Sequence, residues 1–155
     1  MNILDDKKPN KKIKFDIWGL ALFSIIMIPN LIWAAIPAPN DILRAESVTP
    51  IVDMFASVFQ VILVAALCIT MQGKQKTPVG KQFLLGIILA ILVYFSGWVW
   101  YYKGTVNQVT ILILCVAPCL AFIFFSVARK NKVALIAAIL FMICHLIFSI
   151  GNFMI

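Results

Sequence analysis

The sequence runs to 155 residues, of which 63% are apolar and only 12% charged, with a net charge of +7. Soluble domains are about 45–50% apolar and about 25% charged, and one of this length hides only about 70% of the surface its unfolded chain exposes. That balance excludes an ordinary soluble domain and makes lipid the expected solvent.

Five apolar stretches are long enough to span a bilayer, at 16–36, 50–71, 81–102, 107–128 and 133–155. A helix advances about 1.5 Å per residue, so about 20 residues cross a hydrocarbon layer of about 30 Å. Helix is required there because lipid supplies no partner for backbone amides. The expected fold is all-α: one polytopic membrane domain over 1–155, built as a bundle of five transmembrane helices.

The chain opens on a basic segment, 1–15, followed directly by the first span. Lysines before an apolar run also suit a secretory signal, but this run exceeds the 7–15 residues of a usual signal core, and no convincing small-x-small cleavage pair follows Trp33. An uncleaved anchor is expected. The connection at 37–49 comes next, and Pro37-Ala38-Pro39-Asn40-Asp41 stops the first helix because proline disfavours helix in the residue before it. Residues 42–46 are expected to lie along the interface. Thr49-Pro50 then reads as a start signal, a hydroxyl to cap free amides and a proline at the first helical position. Pro29 and Pro118 fall inside spans, where each removes a backbone hydrogen bond; packing is the expected role of both. Gly86, Gly97 and Gly151 read as points of close helix approach.

Orientation follows from the basic residues. Lys7, Lys8, Lys11, Lys12, Lys14, Lys74, Lys76, Lys81, Arg129, Lys130 and Lys132 fall on one side, and Arg44 and Lys103 on the other, an eleven-to-two split of the 13. Basic loops stay in the cytoplasm, so the N-terminus is expected inside and the C-terminus outside, in a multi-pass protein of the cell membrane. Trp33, Trp98, Trp100, Tyr101 and Tyr102 at outer ends, with Trp18 at an inner one, fit aromatic belts in the same frame.

Polar residues inside the spans cluster in the outer half. Asp53, Ser57 and Gln60 follow i, i+4, i+7 spacing on the second span, and His145, Ser149 and Asn152 repeat it on the fifth. If these faces meet, they line a pocket open to the outside, with Asn30 contributing from the first span. Asp53, His145, Gln60, Asn30 and Asn152 are therefore the candidate ligand-binding residues. The plainer reading of each is helix-start electrostatics for Asp53 and interhelical hydrogen bonding for the others.

Cys68, Cys115, Cys119 and Cys144 all lie in apolar stretches, without the spacing of a disulfide framework, a zinc ribbon or a thioredoxin-like pair, and read as small buried apolar residues. The sequence meets no rule for hydrolysis, phosphate binding or dinucleotide binding. No cofactor, no resident metal and no enzymatic activity are expected, and nucleic acid is excluded as a partner because the basic residues form no stripe on a polar surface. The expected partners are the lipid bilayer and another membrane protein or a second copy of the chain. The favoured role is a non-enzymatic accessory or interaction protein; the alternative is a small carrier or channel-forming subunit using the outward polar cluster around Asp53 and His145.

Overall fold

A computed structural model describes residues 13–71 and 79–154. The lysines at 7, 8, 11 and 12 and at 74 and 76, with Ile155, lie outside the described residues.

The protein is an all-helical membrane bundle of five helices, each long and apolar enough to cross a bilayer: α1 (Ile17–Ala35), α2 (Pro50–Cys68), α3 (Lys81–Tyr102), α4 (Gln108–Ala128) and α5 (Lys132–Phe153). All five overlap the stretches expected from hydropathy, with ends shifted by at most three residues. The largest shift is at the end of α2. There Ile69–Met71 (β2) leaves the helix to pair antiparallel with Ile13–Phe15 (β1), Phe15 opposite Ile69. Five helices of this kind put the first and last described residues, Ile13 and Met154, at opposite ends of the bundle. One face, the loop end, carries the 36–49 connection and the α3–α4 turn; the other carries the β1–β2 ladder and the α4–α5 turn.

Local chemistry explains where the helices begin. Asp16, Asn107 and Asn131 each accept a hydrogen bond from a first-turn amide, of Trp18 (3.1 Å), Thr110 (2.9 Å) and Ala134 (3.1 Å), satisfying donors that the helix itself leaves free. Thr49 departs from expectation. Its hydroxyl makes no cap and instead meets Ser47 (3.2 Å), Asp53 (3.4 Å) and Asn152 (3.0 Å). A cross-helix partner competes successfully for it because α2 and α5 approach closely there. Gly104, at φ +82°, makes the α3–α4 turn in a conformation that side chains with a Cβ disfavour.

α4 is the centre of the bundle, more than half buried, flanked by α3 on one side and α5 on the other. α2 packs on α5, not on its sequence neighbour α3, and α1 closes the arrangement against α2 with lighter contacts to α3 and α4. Gly19 lets α1 reach the backbone of α2: an added Cβ would collide with the Leu67 carbonyl. Exposed Leu, Ile and Val side chains cover the outer faces of α1, α2 and α3, as a lipid solvent requires. Pro29 and Pro118 are both buried, and each helix continues through its proline.

A buried ion pair ties the end opposite the loop. Asp16 is 2% exposed, and its carboxylate lies 3.4 Å from Arg129 Nε, joining the start of α1 to the end of α4. Asn131 donates to the Ala66 carbonyl (2.7 Å), and the Asp16 amide donates to the Cys68 carbonyl (2.8 Å), so the same junction holds the end of α2.

Candidate functional site

Two polar centres lie at the loop end, and the five expected site residues divide among different surroundings. α2 and α5 do meet, and their contact brings Asn152 to the start of α2. Its side-chain oxygen accepts from the Val48 amide (2.8 Å), while its nitrogen donates to Thr49 Oγ1 (3.0 Å) and to the Phe148 carbonyl (2.9 Å). Asp53 stands one turn further along α2, half-buried, reached by the Thr49 hydroxyl at 3.4 Å. The His145 ring centre lies 4.1 Å from that of Phe141 with the planes tilted at 45°, and its Nδ1 is buried with no hydrogen-bond partner among the described residues.

Gln60 is half-buried further down α2, and among the described residues it makes no hydrogen bond to Asp53 or His145. Ser57 is turned away from the seam: it is exposed, and its hydroxyl donates back to the Asp53 carbonyl at 2.9 Å. Forty degrees of helical rotation relative to Asp53, about what four residues produce, is enough to put it on the outer face. Ser149 is buried toward α4, where its hydroxyl interacts with Cys115. Asn30 takes no part in this seam. It donates to the buried Tyr94 hydroxyl at 2.6 Å and to the Ile26 carbonyl at 3.1 Å, bonding α1 to α3.

The second centre was not expected from sequence as a site. It is built on Asp41, which the residue pattern marks only as part of a helix stop. The carboxylate accepts from the Trp33 indole (2.8 Å), the Tyr101 hydroxyl (2.8 Å), the Ala38 amide (3.3 Å) and Arg44 Nε (2.7 Å). Burial opposes its ionisation, but these donors outweigh that cost and hold the carboxyl below its usual value of 3.8. Arg44 also lies 4.9 Å from the Trp33 ring centre and donates to the Trp33 and Ala34 carbonyls, closing the end of α1 with a cation where the helix dipole favours one. The Tyr101 hydroxyl accepts from the Leu43 amide (3.1 Å), and Tyr102 donates to the Ile36 carbonyl (2.7 Å). Residues Ile42–Arg44 form one 3-10 turn inside this clamp.

The aromatic run on α3 corrects the belt expectation. Trp98 and Tyr101 are 6% and 0% exposed, packed edge to face at 5.7 Å beneath the loop, while Trp100 points outward. The signal was in the sequence: Tyr94, Trp98 and Tyr101 follow i, i+4, i+7, one face of a helix, and Trp33 and Asp41 bracket the two prolines.

An open groove of about 580 Å³ lies beside the clamp, lined by Ile42, Val106, Asn107, Gln108 and Phe153 among others, and it does not reach Asp53 or His145. Cys115 and Cys119 are buried and Cys144 is half-buried; all are free thiols. Among the described residues, no three His, Cys, Asp or Glu side chains come together as a metal site would need.

Comparison with protein-family models, with curated proteins and with solved structures gives no match.

Proposed function

We propose that the protein is a non-enzymatic accessory protein of the cell membrane, with the N-terminus in the cytoplasm, that engages another membrane protein through its 36–49 connection on the outer side. One observation carries this reading. The Asp41 clamp fixes the connection from within, while Pro39, Asn40, Glu46 and Val48 remain exposed on it. A segment already held in one conformation loses little freedom on docking, and that saving is what makes a short loop an effective contact surface. The polar side chains of the spans suit the same role. Ser96 and Ser126 bond carbonyls of their own helices, and Asn30 bonds Tyr94, so these groups serve packing.

The test is site-specific photo-crosslinking from Val48 and Glu46 in native membranes. The expected result is one discrete product with a different membrane protein, formed from both positions and lost when Asp41→Ala releases the clamp. A product of twice the chain's own mass would replace this reading with self-association. Absence of any product, or a product indifferent to Asp41→Ala, would refute it.

A further inference from the structure

Three exposed lysines, Lys81, Lys130 and Lys132, stand at the end of the bundle opposite the loop. Asp16 is the one acidic residue at that end among the described residues, and Arg129 takes it up in the buried pair at 3.4 Å. The other described carboxylates, Asp41, Glu46 and Asp53, lie at the loop end. No ion pair within the described residues therefore neutralises the three lysines.

Fixed backbone carries these charges. Asn131, between Lys130 and Lys132, caps α5 by accepting from the Ala134 amide (3.1 Å) and donates to the Ala66 carbonyl of α2 (2.7 Å). Its own amide donates to the Ser126 carbonyl and the Lys130 amide to the Val127 carbonyl, both at 2.9 Å, which closes the end of α4. The packing of α3 on α4 brings Lys81 to the level of this turn. Gly86 lies against the Phe124 ring and Gly97 against the Ile113 side chain, one antiparallel register whose continuation sets Lys81 level with Arg129.

Apolar surface begins within one turn of the charges. Leu84, Val127 and Val133 are all exposed, three residues or fewer from Lys81, Lys130 and Lys132. Ammonium groups at the rim with bare hydrocarbon directly beneath match an anionic phospholipid, phosphate above and acyl chains below. A soluble anion would use the charges and leave the hydrocarbon uncovered, and a zwitterionic lipid would cover the hydrocarbon and leave the charges unbalanced. We propose that this end of the bundle selectively binds anionic phospholipid, the headgroup phosphates of the surrounding leaflet against Lys81, Lys130 and Lys132. A lysine beside an anionic lipid surface contributes about a fivefold preference, and salt weakens it by screening. This surface is at the opposite end from the docking loop, so either proposal can fail without the other.

The test is native mass spectrometry of the purified full-length chain in detergent at low salt, titrated in parallel with dioleoylphosphatidylglycerol, dioleoylphosphatidylcholine and inorganic phosphate. Phosphatidylglycerol is expected to bind more tightly than phosphatidylcholine by on the order of a hundredfold, three such contributions together. That preference is expected to fall about fivefold in each of Lys81→Gln, Lys130→Asn and Lys132→Gln, and to be unchanged in Lys103→Gln, an exposed lysine at the loop end. Asparagine is chosen at 130 because it tolerates the φ of +53° found there. A cooperative thermal transition shows that each variant is folded; should one lack it, the remaining two decide. Equal binding of the two lipids, a preference unchanged in the three lysine variants, or an equal loss in Lys103→Gln would overturn the proposal. Binding of inorganic phosphate as tight as that of phosphatidylglycerol would also overturn it, in favour of a site for a free anion.

Discussion

Asp41 and Asp53 sit at the same end of the bundle, twelve residues apart, yet they have opposite surroundings. Asp41 lies in a loop and is saturated: an indole, a phenol, a guanidinium and a backbone amide all donate to it. Asp53 lies in the first turn of a transmembrane helix and has one weak hydroxyl contact. Bonding, not depth or sequence position, separates a carboxylate that builds structure from one that holds little together. A saturated carboxylate has no capacity for a further donor, and removing it strands the groups that surround it.

The largest expected effect follows from Asp41. Asp41→Ala leaves the Trp33 and Tyr101 donors unpaired beneath the loop and is expected to lower the stability of the detergent-solubilised chain by about 2–3 kcal/mol, read as a fall in the thermal midpoint. Loss of less than about 0.5 kcal/mol would mean that the clamp does not cement the loop end. Asp53→Asn, measured alongside, is expected to be near neutral, because its carboxylate holds nothing together. Equal losses in the two variants would erase the distinction.

A smaller effect sharpens the same contrast through pH. The Asp41 carboxyl is held below its usual 3.8 in the folded protein. Its contribution is therefore complete well above that value, and it is lost as pH falls through the folded-state value, because the unfolded chain takes up the proton first. The stability difference between wild type and Asp41→Asn should be flat from about pH 7 to about pH 5 and should shrink below about pH 4. A difference that grows on acidification would reverse the assigned sign.

The helices were legible because hydropathy and helix length are local properties. Five runs of sufficient length leave one architecture open to a chain that must satisfy its amides in lipid. Pairing was less legible. That α2 lies on α5 depends on which helix surfaces fit, so Asp53, His145 and Asn152 could be suspected of sharing a seam, but Asn30 was assigned to it wrongly in space: it faces Tyr94 on α3. The end of α2 was placed three residues late because β2 is as apolar as the helix before it, and a composition-based boundary cannot see a ladder partner more than fifty residues away. Asp41 was overlooked as a centre for a related reason. Its donors come from Trp33 before the loop and Tyr101 on α3, and a loop carboxylate outside the spans carries no desolvation warning in the sequence. The Tyr94–Trp98–Tyr101 face was the one available sign that something polar is buried there.

The proposed docking through the 36–49 connection needs the loop end to face the cell exterior, and paired cysteine labelling in intact cells tests that most directly. Glu46→Cys, exposed on the loop, is expected to react with a membrane-impermeant maleimide without permeabilisation, while Lys130→Cys, exposed in the α4–α5 turn at the opposite end, is expected to react only after it. Labelling of Lys130→Cys in intact cells, with Glu46→Cys protected, would invert the bundle and contradict the account.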